Sequence, residues 1–159
     1  MKLIFSAFNE QTARDILAWR YEPPYDFYNP DSAKLESGLR TFLTPENRYY
    51  AIWDEGGSLI GHCCFGDEAQ VQGGDYSQEA LDVGTGLRPD RTGQRQGSWV
   101  IGEVIEFAQQ NFQAKSLRAT VAAFNQRALR AWKKVGFYAI SEFVRPSDNQ
   151  QFAILMRNG

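Results

Sequence analysis

The stretch from Leu81 to Ala122 constrains the fold more than any other part of the chain. It reads as a strand over 81–88, a glycine-bearing turn, an amphipathic helix over 98–111 and a second strand over 117–122. Two strands joined through a helix lie parallel in one sheet, and the crossover is right-handed. A parallel pair must therefore sit within whatever sheet the remaining residues build. The helix presents Ile101, Val104, Ile105 and Ala108 as its buried stripe. Gly84 and Gly86 interrupt the first strand, which signals a bulge or a close approach by another backbone or a ligand.

The other segments favour antiparallel neighbours. Residues 2–8 alternate as a strand, and Asn9 caps a helix to about Arg20 that carries Ala13, Ile16, Leu17 and Trp19. Pro23, Pro24 and Pro30 hold residues 21–30 in an extended, ordered loop. A second helix starts at Asp31 or Ser32 and bears Leu35, Leu39, Phe42 and Leu43. Strands over 48–54 and 58–65 flank Glu55-Gly56-Gly57, a hairpin signal. A helix over 125–135 is closed by Gly136, and strands over 137–144 and 151–156 finish as antiparallel neighbours. The order is β-α-α-β-β-β-α-β-α-β-β, without repeats or linkers. With 159 residues there is enough chain for one buried core and too little for two, so residues 1–159 read as a single α+β domain.

Bulk charge narrows the function classes. A net charge of −2 gives no global basic field for nucleic acid or an anionic membrane. No apolar run approaches the ~20 residues that cross a bilayer, and the N-terminus has no signal-peptide core. The two cysteines, Cys63 and Cys64, are adjacent; on a strand they point to opposite faces, which disfavours a disulfide. They are read as reduced thiols, in keeping with a cytoplasmic enzyme that uses no metal.

Against this background the turn after the fourth strand stands out, because Arg88, Arg91 and Arg95 gather around Gly93 and Gly97 just before the helix. Glycines let backbone N–H groups converge at a helix start, where the helix dipole adds partial positive charge. A pyrophosphate would be well served. The pattern is neither a Walker loop, since no Gly-Lys-Ser/Thr follows, nor a dinucleotide fingerprint, since GxGxxG is absent.

At these residues the chain resembles the GNAT superfamily of acyl-CoA-dependent N-acetyltransferases. Leu87-x-Pro89 matches the family's strand end, and Thr92-Gly93-x-x-x-Gly97 matches its turn. A second element reappears as Asn125-Gln126-Arg127-Ala128, Trp132 and Gly136-Phe137. The resemblance implies a mixed, mostly antiparallel sheet with a central parallel, splayed pair of strands four and five, flanked by about four helices. It implies acetyl-CoA as co-substrate, no metal, and direct transfer of acetyl to an amine within a ternary complex. Leu87 would offer its backbone to pantetheine. Arg88, Gly93, Gln94, Arg95, Gln96, Gly97 and Ser98 would hold the pyrophosphate, and Asn125, Ala128 and Trp132 would face the pantetheine arm.

Three departures from the family pattern bear on the chemistry. Arg95 stands where the family has the middle glycine of the turn, and Thr92 stands where it has Gln or Arg. Trp132 replaces a tyrosine that in many members protonates the departing thiolate, and an indole N–H is no useful acid. Asp82, on strand four, is the carboxylate nearest the expected reaction centre and is a candidate base acting through water. Glu22 is the alternative acid or base. The lone histidine, His62, is read as a packed or surface side chain, although its unperturbed pKa lies near neutrality.

In this family the loop between the first two helices covers the acceptor. Here residues 21–30 mix Tyr21, Tyr25, Phe27 and Tyr28 with Glu22 and Asp26. Such a mixture can enclose an aliphatic stem and attract an ammonium, so Tyr25 and Tyr28 are candidate substrate-binding residues. The loop 66–79, with Asp67, Glu68, Asp75 and Tyr76, is a candidate second wall. The acceptor is a small-molecule or peptide amine, and the chain acts as a monomer or homodimer. A non-catalytic acyl-CoA sensor, or another phosphate-ligand enzyme on the same turn, are the competing readings.

Overall fold

The computed structural model describes residues 2–158 and is built on a single seven-stranded sheet. Its strands are β1 (Ile4–Ala7), β2 (Tyr49–Trp53), β3 (Leu59–Phe65), β4 (Leu81–Leu87), β5 (Ser116–Ala122), β6 (Tyr138–Val144) and β7 (Gln151–Asn158). They lie in the order β1-β2-β3-β4-β5-β7-β6. Every neighbouring pair is antiparallel except β4 and β5, which are parallel. Four α-helices flank the sheet: α1 (Glu10–Leu17), α2 (Leu35–Leu43), α3 (Gly97–Phe112) and α4 (Gln126–Lys134). The mixed α+β architecture and the parallel pair are as the sequence led us to expect.

Local chemistry explains the helix limits. The Asn9 side chain accepts the Thr12 backbone N–H at 2.9 Å and caps α1. The helix closes at Leu17 rather than near Arg20, because the Arg20 guanidinium donates to the Leu17 and Trp19 carbonyls at 2.7 Å each. Those carbonyls are the orphan acceptors of a helix end, and a cation suits them. At the other extreme, α3 runs one residue beyond expectation at each end and stops where Gln113 turns left-handed, at φ 51°.

The two faces of the sheet have different cores. On one face α3 and α4 pack Val100, Val104, Ile105 and Trp132 over Cys63, Phe65, Val83, Leu117, Ala119 and Leu155. On the other, α1 and α2 bury a smaller cluster of Ala13, Leu17 and Leu39. Both cysteines are buried and free. Among the described residues no helix is long and apolar enough to cross a membrane.

The feature that positions the site is where β4 and β5 stop pairing. Only Leu81↔Leu117 and Asp82↔Arg118 face each other across them. Beyond that rung β4 follows β3 to Leu87, and β5 follows β7 to Ala122, so the two strands part in a wedge. The Asp82 carboxylate pins the closed end, accepting from Arg118 Nε at 2.7 Å and Nη2 at 2.8 Å. No bulge accompanies the β4 glycines. The close approach comes instead from a side chain, since a Cβ on Gly86 would lie 2.4 Å from His62 Nε2.

Candidate active site

The wedge opens into a cavity of about 1040 Å³ that reaches both faces of the sheet. Its floor is β4 from Val83 to Leu87 and β5 from Thr120 to Ala122. One side is formed by the turn before α3 and by α4, and the other by α1, α2 and the loop 21–30.

The β4 floor has free backbone groups. Arg88 N–H donates to Ile60 C=O at 2.8 Å, and Gly66 N–H to Asp82 C=O at 2.9 Å. In an antiparallel ladder that register turns the peptide groups of Asp82, Gly84, Gly86 and Arg88 toward β3. Thr85 and Leu87 turn theirs the other way, into the wedge, where β5 no longer answers them. Tyr21 takes one of these groups by donating its hydroxyl to the Leu87 carbonyl at 2.5 Å. Burial pushes the Tyr21 phenol up to about 12, so it stays a donor at neutral pH.

The turn before α3 is shaped by its own side chains. Thr92 donates its hydroxyl to Pro89 C=O at 2.7 Å, and Gln94 Nε2 donates to Asp90 C=O at 2.7 Å. Gly93 (φ +74°) and Arg95 (φ 59°) both adopt the left-handed conformation. Arg95 thus holds a left-handed backbone that favours glycine, at a strain of about 1 kcal/mol. Gly97 opens α3 where it meets α4, and a Cβ there would touch Ala131 Cβ at 3.4 Å.

Of the expected cofactor residues, Leu87, Gly93, Arg95, Gly97, Ser98, Asn125, Ala128 and Trp132 line the cavity. Arg88, Gln94 and Gln96 do not. Arg88 is held by Asp90 at 2.6 Å and also donates to Leu59 C=O at 3.0 Å. Arg91, another cation of the turn, pairs with Asp54 at 3.0 Å and ties the turn to the β2–β3 hairpin. Gln94 is exposed and spent on the turn, while Gln96 turns inward with its Oε1 buried and unpartnered. The positive charge that does face the cavity comes from Arg95 and, across from it, Arg127, Arg130 and Lys134 of α4. None of these four forms an ion pair among the described residues. The α4 trio escaped sequence reasoning, although its i, i+3, i+7 spacing puts it on one helix face.

Asn125 caps α4 by accepting the Ala128 N–H at 3.0 Å, and its Nδ2 donates to the Tyr28 hydroxyl at 3.0 Å. That second bond joins the loop 21–30 to the donor side of the cavity. Trp132 is 4% exposed and packs edge-on against Phe137 with centroids 4.8 Å apart.

The opposite half of the cavity is aromatic. Tyr25, Phe27 and Tyr28 cluster on Phe124, with Phe27 and Tyr28 at 5.0 Å. Trp19, Phe8 and Phe42 surround His62 at 6.1 to 6.3 Å. His62 lines the cavity directly over Gly86, and its Nδ1 is buried with no hydrogen-bond partner. Burial pushes the imidazole down to about 4, so it is neutral at physiological pH.

The two expected carboxylates are elsewhere. Asp82 is 4% exposed, and its oxygens are taken by Arg118 and by Gln70 Nε2 at 2.8 Å. A carboxylate fully engaged by a buried guanidinium is a structural ion pair, and Asp82 does not border the cavity. Glu22 and Asp26 also lie outside it; the loop 21–30 turns its aromatics inward and its acids outward. From the loop 66–79 only Val71 reaches the cavity, since Glu68 is bonded to Tyr49 and Asp75 to Ser77. Neither cysteine is a ready nucleophile, because burial raises Cys63 well above the usual thiol range and Cys64 to about 12. Among the described residues no group of three or more His, Cys, Asp or Glu could hold a metal ion.

A parting parallel pair, with a cationic helix-start turn on one side and an apolar chamber on the other, defines a group-transfer enzyme with a phosphate-bearing donor. The family model described as the acetyltransferase (GNAT) family matches residues 11–137. The chain belongs to the GNAT acetyltransferase family, whose acyl donor is acetyl-CoA. No curated protein matches it by sequence. Among solved structures it is similar in fold to the AAC(6')-Ib protein in complex with ribostamycin and coenzyme A. The TM-score is 0.77 and the identity 12%, over 99% of this chain and 94% of that one. The same protein with coenzyme A and kanamycin gives a TM-score of 0.76 at 12% identity, over 99% and 95%. A spermidine N-acetyltransferase SpeG chimera from Vibrio cholerae and hSSAT gives 0.71 at 17%, over 99% and 96%.

Proposed function

We propose that the chain moves acetyl from acetyl-CoA to a primary amine by direct attack within a ternary complex. The observation that carries this reading is the wedge: unpaired β4 backbone lies beside a helix start faced by four cations that no carboxylate neutralises. A long ligand with amide groups along its arm and phosphates at one end suits that arrangement. The Thr85 peptide groups and the Leu87 N–H would pair with the pantetheine amides, the Leu87 carbonyl being held by Tyr21. The turn from Gly93 to Ser98 would take the pyrophosphate at the α3 N-terminus, with Arg95, Arg127, Arg130 and Lys134 supplying charge.

When bound, acetyl-CoA supplies a thioester carbonyl open to attack. The protein's part is then positioning and polarisation. The free N–H groups of β4 point into the wedge, where developing charge on a carbonyl oxygen needs donors. The aromatic half excludes water and holds the amine on the far side of β4. Asn125 and Tyr28 close the chamber by bonding to each other across it. Both cysteines are buried with raised thiol pKa values, so neither is placed to carry an acyl group. The amine attacks in its neutral form, and the proton it sheds goes to the departing thiolate, which leaves as free CoA thiol, with no role for Asp82 or Glu22.

Calorimetric titration tests the donor site. CoA should bind with clear preference over ATP, and Arg95→Glu should weaken CoA about 10-fold at low salt, less at high salt. Preference for ATP would sink the acyltransferase reading. A second reading, an acyl-CoA sensor, draws on Trp132, which puts a buried indole where an acid would serve. It requires CoA binding without turnover on any amine.

A further inference from the structure

Charge in the acceptor half of the cavity limits what can enter it. Among the described residues that line the cavity, none is Asp or Glu. Two cations border its aromatic end. Arg145 is neutralised by Asp148 at 2.7 Å, with its guanidinium carbon 5.5 and 5.0 Å from the Phe27 and Phe152 rings. Arg127 lies 4.1 Å over the Tyr25 ring and only adds to the repulsion of further cations. An acceptor with several ammonium groups would have to desolvate each of them with no carboxylate to receive it, which is strongly unfavourable. An amine with one nitrogen and an apolar body has a single ammonium to deprotonate and, once neutral, leaves no charge to desolvate in the chamber. One lining side chain, His62, has a buried Nδ1 with no hydrogen-bond partner, set among Trp19, Phe8 and Phe42.

From this geometry we infer that the acceptor is an aromatic or apolar monoamine, seated between Trp19, Phe42 and the Tyr25–Tyr28 aromatics with its nitrogen beside His62. The inference rests on the acetyl-transfer reading and sets this chain apart from the spermidine N-acetyltransferase and from the AAC(6')-Ib protein that binds ribostamycin and kanamycin.

The test compares 2-phenylethylamine, spermidine and kanamycin as acceptors for the full chain with acetyl-CoA, following release of free thiol. The kcat/KM for 2-phenylethylamine should exceed the other two by about 100-fold. Equal or better use of spermidine or kanamycin overturns the inference. Tryptophan fluorescence in the presence of CoA separates the two claims. Saturable quenching by 2-phenylethylamine without thiol release supports the acceptor class and overturns acetyl transfer. CoA binding with neither quenching nor thiol release overturns the acceptor class. Val71→Glu, on a surface loop, adds a carboxylate to the wall and should shift the ratio toward spermidine by about 10-fold; an unchanged ratio means that charge does not select the acceptor.

Discussion

Asp82 and Arg118 meet on the last rung where β4 and β5 still pair, and each buries its charge against the other. Arg118 also donates to the Gln78 carbonyl at 2.6 Å and lies 4.9 Å over the Tyr76 ring, so it fastens the loop 66–79 to the wedge. Removing one partner leaves a buried, uncompensated charge. Arg118→Met should therefore cost about 3–5 kcal/mol in urea unfolding, and the Asp82→Asn/Arg118→Met double variant should recover part of it. From the sequence alone Asp82 is a carboxylate on the right strand; its partner is 36 positions away and becomes visible only once the register is fixed. The same holds for Glu22, whose loop shows which residues are present but not which way each one faces.

His62 gives a pH signature at the same scale. Its imidazole is pushed down to about 4 in the fold against an ordinary value of 6.5. The unfolded chain then binds the proton more readily than the native one, so stability is full above about pH 6.5 and is lost as pH falls toward 4. Between about pH 7.5 and pH 5 this amounts to about 2 kcal/mol, before most carboxylates titrate. Urea unfolding across that range should show the loss, and His62→Gln should flatten it. An equal slope in both proteins would mean that His62 is free to protonate in the folded state.

At the scale of elements, β4 carries most of the design. Its two glycines suggested a bulge or the approach of another backbone or a ligand; there is no bulge, and at Gly86 the approaching group is instead the His62 ring on β3. Gly86→Ala would place a Cβ 2.4 Å from His62 Nε2, and that ring is boxed in by aromatics, so it cannot move cheaply. The expected cost is about 1–3 kcal/mol of stability, with loss of acetyl transfer as the ring is driven into the cavity. Gly84→Ala is the milder control, since its nearest neighbour, Cys64 Sγ, would lie 3.1 Å away. Thermal unfolding and thiol release on both variants check the contrast. The turn was legible in kind but not in detail: of the clustered arginines, Arg88 and Arg91 are consumed in ion pairs, and α4 supplies the charge. Spacing shows where cations gather, whereas their partners depend on strands that meet only in the folded sheet.

Across the whole molecule, hydrophobic period and turn chemistry carried the element order, because the helices have apolar stripes and residues such as Asn9, Gly57, Pro89, Asn125 and Gly136 mark several of the boundaries. The parallel β4–β5 pair followed from the helix between them. What the pattern left open was the contents of the chamber: an aromatic-lined, carboxylate-free acceptor half arises from the way a proline-bound loop packs against Leu87, Phe124, Asn125 and Phe152. These parts converge on one claim, that an amine entering the chamber meets an acetyl thioester held along β4. Thiol release from acetyl-CoA, measured with and without amine and followed by intact-mass analysis of the protein, tests it most directly. The account predicts amine-dependent release, an N-acetylated product and an unmodified chain. Amine-independent release, or an acetylated protein that forms before the amine is added, would contradict it.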